Sequence, residues 1–188
     1  SAREAWDFYK VISWRDGCTG NGRNLNVFQD YRVQWTNNAE YNWLLGGDEM
    51  RLGNSNNGTI GTTYIAGHEF THGVICATSD LYYQVEPFAL NESFEDIMAF
   101  MSEYYAQNGQ NLDWDLGEDA WFLRSMSNPQ TSLMVPGVFI IGQPHFHGGP
   151  RWYTGVQDNG GVHQNSGVQN YWFHILSDGS AGGPTING

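Results

Sequence analysis

His68, Glu69 and His72 stand in the stretch Ala66-Gly-His-Glu-Phe-Thr-His-Gly-Val74, an H-E-x-x-H pattern. On a helix, residues four apart lie on one face, so the two imidazoles can point at one ion. Neutral nitrogen ligands suit Zn²⁺, and a third protein ligand would leave one position open for water or substrate. Glu69 projects at a neighbouring angle, placed to hold a water without itself ligating the metal. A short pattern also arises by chance, in an ordinary amphipathic helix whose histidines are otherwise satisfied. The rest of the chain weighs against that alternative.

A third ligand is available at Glu92, in the acidic segment Asn91-Glu-Ser-Phe-Glu-Asp96 that opens a second apolar-periodic stretch. The interval from His72 allows one helix to end, a loop to turn and a second helix to return against the first. Asp96 lies one turn beyond Glu92 on the same face. A carboxylate there can accept a hydrogen bond from the outer nitrogen of a ligating histidine and fix its tautomer. A solvated acidic helix start is the plainer alternative, since Asp and Glu favour the first turn.

With these residues in place the chain resembles the thermolysin family of zinc metallopeptidases, and three further blocks extend the likeness in order. Asn37-Asn-Ala-Glu-Tyr41 is similar to the edge-strand segment that binds substrate backbone in that family. Arg124-Ser-Met-Ser-Asn-Pro129 is similar to its Arg-Ser-Met-Ser segment, and Asp158-Asn-Gly-Gly-Val-His163 to its catalytic histidine block. The interval from His68 to Glu92, with Tyr83 between them, matches as well. The resemblance implies a zinc endopeptidase in which His68, His72 and Glu92 hold the metal. Zinc so held polarises a peptide carbonyl and brings the pKa of water towards ~7, with Glu69 as general base and acid. It further implies that His163 and Tyr83 donate to the oxyanion and that Asp158 orients His163. Asn38, Ala39 and Arg124 would hold the substrate backbone. Ile65, Leu116 and Leu123 would line an apolar pocket for a bulky residue after the scissile bond. His145, His147 and His174 have no such support and are expected to be structural or surface residues.

An acidic cluster at Glu103, Asp113, Asp115 and Glu118 offers hard oxygen ligands, with Asn111 able to add its carbonyl, and suits Ca²⁺. It resembles the family's calcium loop. Tyr64 stands where the family's double site takes a further carboxylate, so one calcium is expected rather than two. Other departures concern the cleft. The chain is shorter than the family pattern between Glu118 and Arg124, and an Asn/Gly-rich loop replaces the strand before the zinc helix. Much of the usual N-terminal β region and C-terminal helical lobe is missing from the stretch matched. A partner chain or missing segment could complete the cleft. A catalytically weak zinc- or peptide-binding module, or a narrow-specificity processing peptidase, are the competing readings.

Composition agrees with this reading. Eight Lys+Arg against 20 Asp+Glu give a net charge of −12, which disfavours nucleic acid and anionic membrane as partners and suits a secreted, cation-binding protein. No apolar run reaches the length of a membrane span, and no leader sequence is seen before Ser1. Cys18 and Cys76 could pair or stay free, with two free or buried thiols slightly favoured. The elements that must position the site are helices at about 2–15, 62–78, 88–107 and 162–177. Short β-like runs are expected over 25–53, a loop over Gly53–Gly58, and mostly irregular chain over 126–161. Trp6, Phe8, Tyr9 and Ile12 are expected on the apolar face of the first helix. The fold is therefore expected to be α+β, a zincin-like core spanning 1–180. Within it, 1–60 would form the β edge and 61–180 the zinc and histidine helices, with 181–188 as a tail.

Overall fold

The structure, a computed structural model, describes residues 1–29, 38–42, 48–55, 58–81, 84–110, 113–120, 123–131, 133–135, 138–140 and 142–179. Tyr83, Asn111 and the expected tail at 181–188 lie outside the described residues. In chain order the elements are α1 (Ala2–Ser13), β1 (Asn26–Gln29), β2 (Ala39–Asn42), β3 (Glu49–Leu52), β4 (Asn54–Ser55) and β5 (Gly58–Thr59). There follow α2 (Thr63–Cys76), α3 (Val85–Ala106), β6 (Asp115–Leu116), β7 (Arg124–Ser125), β8 (Leu133–Val135), β9 (Val138–Ile140), α4 (Asp158–Asn165) and α5 (Gly167–Asp178). This is an α+β fold in which helices dominate. Contacts divide it into two compact units: Ser1–Leu81 with Phe94–Leu112 and Gly117–Trp121, and Tyr82–Ser93 with Asp113–Leu116 and Phe122–Gly188. The division cuts α3, which is nevertheless one continuous helix.

In the first unit, β1, β3 and β2 form a three-stranded sheet in that order, β1 parallel and β2 antiparallel to β3. Ala39 pairs with Leu52 and Tyr41 with Met50, so Tyr41, Met50 and Leu52 bury their side chains. Helix α1 buries Ala5, Phe8 and Tyr9. Tyr9 stacks on Phe70 of α2 at 5.3 Å between ring centres, and its hydroxyl hydrogen-bonds with Thr71 Oγ1 at 2.9 Å. Ile12, expected on that face, is 60% exposed, and Trp14 91%. The helix ends at Ser13, one residue after Ile12.

Helix α2 starts on Thr62, whose hydroxyl accepts the Ile65 N–H and so satisfies one of the first turn's orphan donors. It is apolar nearly all round and buried, as a helix enclosed by neighbours must be. Small residues let neighbours come close. A Cβ added at Gly67 would lie 3.1 Å from the Cα of Ala99 on α3, and one at Gly73 2.7 Å from the Tyr41 ring and 2.9 Å from Cys18 Cβ. The first of these approaches sets the facing surfaces of α2 and α3 within side-chain reach.

In the second unit, β6 pairs with β7, placing Leu116 opposite Arg124, and β8 with β9. The β8–β9 hairpin falls where irregular chain was expected. Leu133–Val135 and Val138–Ile140, runs rich in β-forming residues, pair antiparallel there. Likewise the Gly53–Gly58 segment contains β4 and β5, paired antiparallel over two residues each, instead of a plain loop. The last expected helix is two: α4 and α5 meet at Ser166.

Cys18 and Cys76 are both free thiols, Cys18 buried and Cys76 half-buried. Burial pushes the Cys18 thiol up to about 12. Burial raises Cys76 as well, so in the folded protein at pH 8 a thiol reagent should modify Cys76 slowly and Cys18 only after denaturant is added, as mass spectrometry of the labelled peptides would show. Tyr41 cannot retreat from α2 freely, because its hydroxyl is bonded to Asp48 Oδ1 at 2.7 Å. Gly73→Ala is accordingly expected to cost about 1–3 kcal/mol through overpacking, read as a lower urea midpoint at unchanged slope.

Candidate active site

In the first unit, His68 and His72 of α2 face Glu95 and Asp96 of α3. Their rings meet edge to face, with centres 5.1 Å apart. His68 Nδ1 lies 3.1 Å from Asp96 Oδ1, and the same oxygen accepts the Tyr64 hydroxyl at 2.5 Å. Asp96 is fully buried, so these bonds hold a charge that would otherwise cost several kcal/mol to desolvate. They also fix the His68 tautomer with Nδ1 bonded to the carboxylate, leaving Nε2 for an ion. Tyr64 thus has a role at the metal-site histidine, in the place where the sequence suggested only a lost calcium carboxylate.

His72 Nδ1 contacts Glu95 Oε1, whose other oxygen lies 3.9 Å from His68 Nε2. Glu95 was not among the residues expected here. Its signal was nonetheless present: it follows Glu92 by three positions, hence on the same helical face. Because α3 is continuous, Glu92 is held beside Glu95 by the helix itself. Ligand atoms from His68, His72, Glu92 and Glu95 all lie within 4.8 Å of one another. Glu69, between the two histidines in sequence, is buried too. Four buried carboxylates, the buried His68 and the half-buried His72 thus lie together on two helices.

In the second unit, α4 opens with Asp158, Asn159, Gly160 and Gly161 all at positive φ, a left-handed run that Asn and Gly tolerate best. The run turns the Asp158 carboxylate back on the chain. One oxygen accepts the His163 backbone N–H at 2.9 Å, and the other lies 2.6 Å from His163 Nδ1. His163 Nε2 lies 3.3 Å from Glu92 Oε2. Desolvation by itself would lower the His163 pKa, but the charges of Glu92 and Asp158 outweigh it and hold it above the ordinary value. Gln143, fully buried and not foreseen, donates to the His163 carbonyl at 2.7 Å and to Ser166 Oγ at 3.0 Å. Arg124 is buried with Nη1 3.5 Å from the same Ser166 oxygen.

The other expected residues are more dispersed. Asn38 is exposed, its carbonyl accepting the Gly53 N–H at 3.0 Å, and Ala39 begins β2 beside it. Ile65, Leu116 and Leu123 are buried within their own units. Among the described residues, Glu103, Asp113, Asp115 and Glu118 do not gather into a second metal-holding group. Asp113 Oδ1 accepts the Asp115 N–H at 3.0 Å, and Glu103 is buried on α3. His145 and His147 pair with Gln130 and Glu86, and His174 is buried against Trp114 with desolvation lowering its pKa.

Comparison with known proteins agrees with this geometry. Residues 1–76 match the thermolysin metallopeptidase catalytic domain, and 79–187 the thermolysin metallopeptidase alpha-helical domain. The thermostable neutral protease NprT of Geobacillus stearothermophilus is 35% identical over 97% of this chain and 32% of its own length. Thermolysin of Alicyclobacillus acidocaldarius is 35% identical over 93% of the chain and 31% of its own. The chain therefore spans about a third of the length of these curated relatives. A solved structure, the precursor of protealysin, a metalloproteinase from Serratia proteamaculans, superposes with a TM-score of 0.81 at 26% identity. That superposition covers 94% of this chain and 57% of the other. From the two-helix histidine–carboxylate cluster, the matched domains and the shared fold, the chain belongs to the thermolysin family of metallopeptidases.

Proposed function

We propose that this chain forms the zinc-binding catalytic core of a secreted endopeptidase that cleaves peptide bonds before a bulky apolar residue. The observation that carries the reading is the convergence of half-buried His72 with buried His68, Glu92 and Glu95, ligand atoms within 4.8 Å of one another, on the H-E-x-x-H helix and the helix facing it. His68, His72 and Glu92 among them make a two-histidine, one-carboxylate set, the number of protein ligands that would leave zinc a position open. When bound, zinc would act as a Lewis acid towards the scissile carbonyl and make water more acidic.

The chain's own residues would do the rest. Glu69, a buried carboxylate, would take a proton from the attacking water and later give it to the leaving amine. His163 donates from Nε2 to the developing oxyanion, and Asp158 keeps its ring turned for that bond through Nδ1. Tyr83, in the same family role, lies outside the described residues. Asn38, Ala39 and Arg124 would hold the substrate backbone, and Ile65 and Leu123 would favour an apolar side chain. A calcium bound near Glu103, Asp113, Asp115 and Glu118 belongs to this reading through family resemblance alone. Secretion is supported by the kinship with thermolysin-type proteases. No helix among the described residues is long and apolar enough to cross a membrane.

Two outcomes test the reading. Glu69→Gln should retain zinc yet hydrolyse an internally quenched, end-blocked peptide at least about 10²-fold more slowly, the scale of a lost general base. Wild-type cleavage should fall on the amino side of Phe or Leu and stop with a zinc chelator; comparable turnover in Glu69→Gln would remove Glu69 from the chemistry. Separately, Asp96→Ala should loosen zinc about 10–100-fold in competition with a chromophoric chelator, because His68 loses its orienting acceptor.

A further inference from the structure

We propose that Gln143 is a positioning residue for His163: with Ser166 it clamps the carbonyl side of the turn whose other side Asp158 holds, and so sets where Nε2 points. This rests on the reading of His163 as an oxyanion donor, and adds to it a residue from outside the helix. Three observations carry it. First, both donors of the Gln143 amide are spent on this turn. One reaches the His163 carbonyl at 2.7 Å and the other Ser166 Oγ at 3.0 Å, while the Ser166 hydroxyl donates to the same carbonyl at 2.9 Å. A carbonyl only accepts, so the amide nitrogen must be the atom that faces it. Second, the bond is returned. Gln164 donates from Nε2 to the carbonyls of Gly142 and Arg151. Each glutamine thus binds the carbonyl of the residue just before the other, and the two segments brace one another. Third, Gln143 is itself fixed in place. Its backbone N–H bonds to the Pro129 carbonyl, and a Cβ added at Gly167 would collide with Gln143 Cβ.

Energetics points the same way. Gln143 is fully buried, and its Oε1 has no hydrogen-bond partner among the described residues. A buried acceptor left unpaired opposes folding, and Met, unbranched and of like length, would fill the same space without one. What the amide supplies and Met cannot is the fixed carbonyl of His163. Asp158 holds the His163 N–H at 2.9 Å and Nδ1 at 2.6 Å, both from one flank. Gln143 and Ser166 close the other flank, so backbone and ring are held from both sides. Aim matters here, because a donor displaced by a fraction of its bond length loses much of its hold on a developing charge.

The test is a double-mutant cycle on kcat for the end-blocked, internally quenched peptide, using the zinc-loaded full chain with zinc content and circular dichroism matched. Gln143→Met is expected to lower kcat about 10-fold with KM little changed, a part of the about 10²-fold that a lost oxyanion donor costs. In a His163→Ala background the same substitution should cost nothing more, because its effect passes through that ring. An equal loss of kcat in both backgrounds, or wild-type kcat in a folded Gln143→Met chain, would overturn the proposal. Should Gln143→Met fail to fold, Gln143→Asn decides instead. It keeps a buried amide but withdraws it by one methylene from the His163 carbonyl, so it must show the same background-dependent loss. Unchanged kcat in His163→Ala alone would sink the oxyanion reading itself, an outcome distinct from equal losses in both backgrounds.

Discussion

Burial of like charge is the constraint on which the histidine site depends. Glu92, Glu95 and Asp96 follow one another along one face of α3, all nearly inaccessible, and Glu69 is buried on α2. An ionised carboxylate in such a place costs several kcal/mol unless it is paired and hydrogen-bonded. The compensation available on the two helices is two imidazoles, one tyrosine hydroxyl and a site for a cation. Everything local follows from bringing those groups together. Gly67 is small because α3 passes at Ala99, so the helices come close enough for Asp96 to reach His68 and Glu95 to reach His72. Tyr64, one turn before His68, completes the hydrogen bonding of Asp96. A bulkier residue at 67 would separate the helices and strand the acids.

The second unit solves a different problem, that of aiming a single imidazole. Its device is a backbone one. Four consecutive residues at positive φ fold the chain so tightly that Asp158 binds both the main chain and the ring of His163 five residues later. Gly161 has no alternative, because a Cβ there would lie 2.6 Å from the Tyr153 ring. Gln143 and Ser166 then tie the carbonyl side of the same turn.

What the sequence made legible was whatever depends on helical spacing. Two histidines four apart, an acid one turn after another, and the start of α2 could all be read because the α-helix fixes side-chain direction from residue number alone. The same rule could have found Glu95, but an acidic helix start also has a solvated explanation, and only burial separates the two. Gln143 was out of reach, since it comes from irregular chain and acts through a contact 20 residues away. The β8–β9 hairpin was obscured by the prolines around it, which punctuate turns as readily as they mark loops. Ile12 failed for a related reason: periodicity predicts a face but not how far its partner extends.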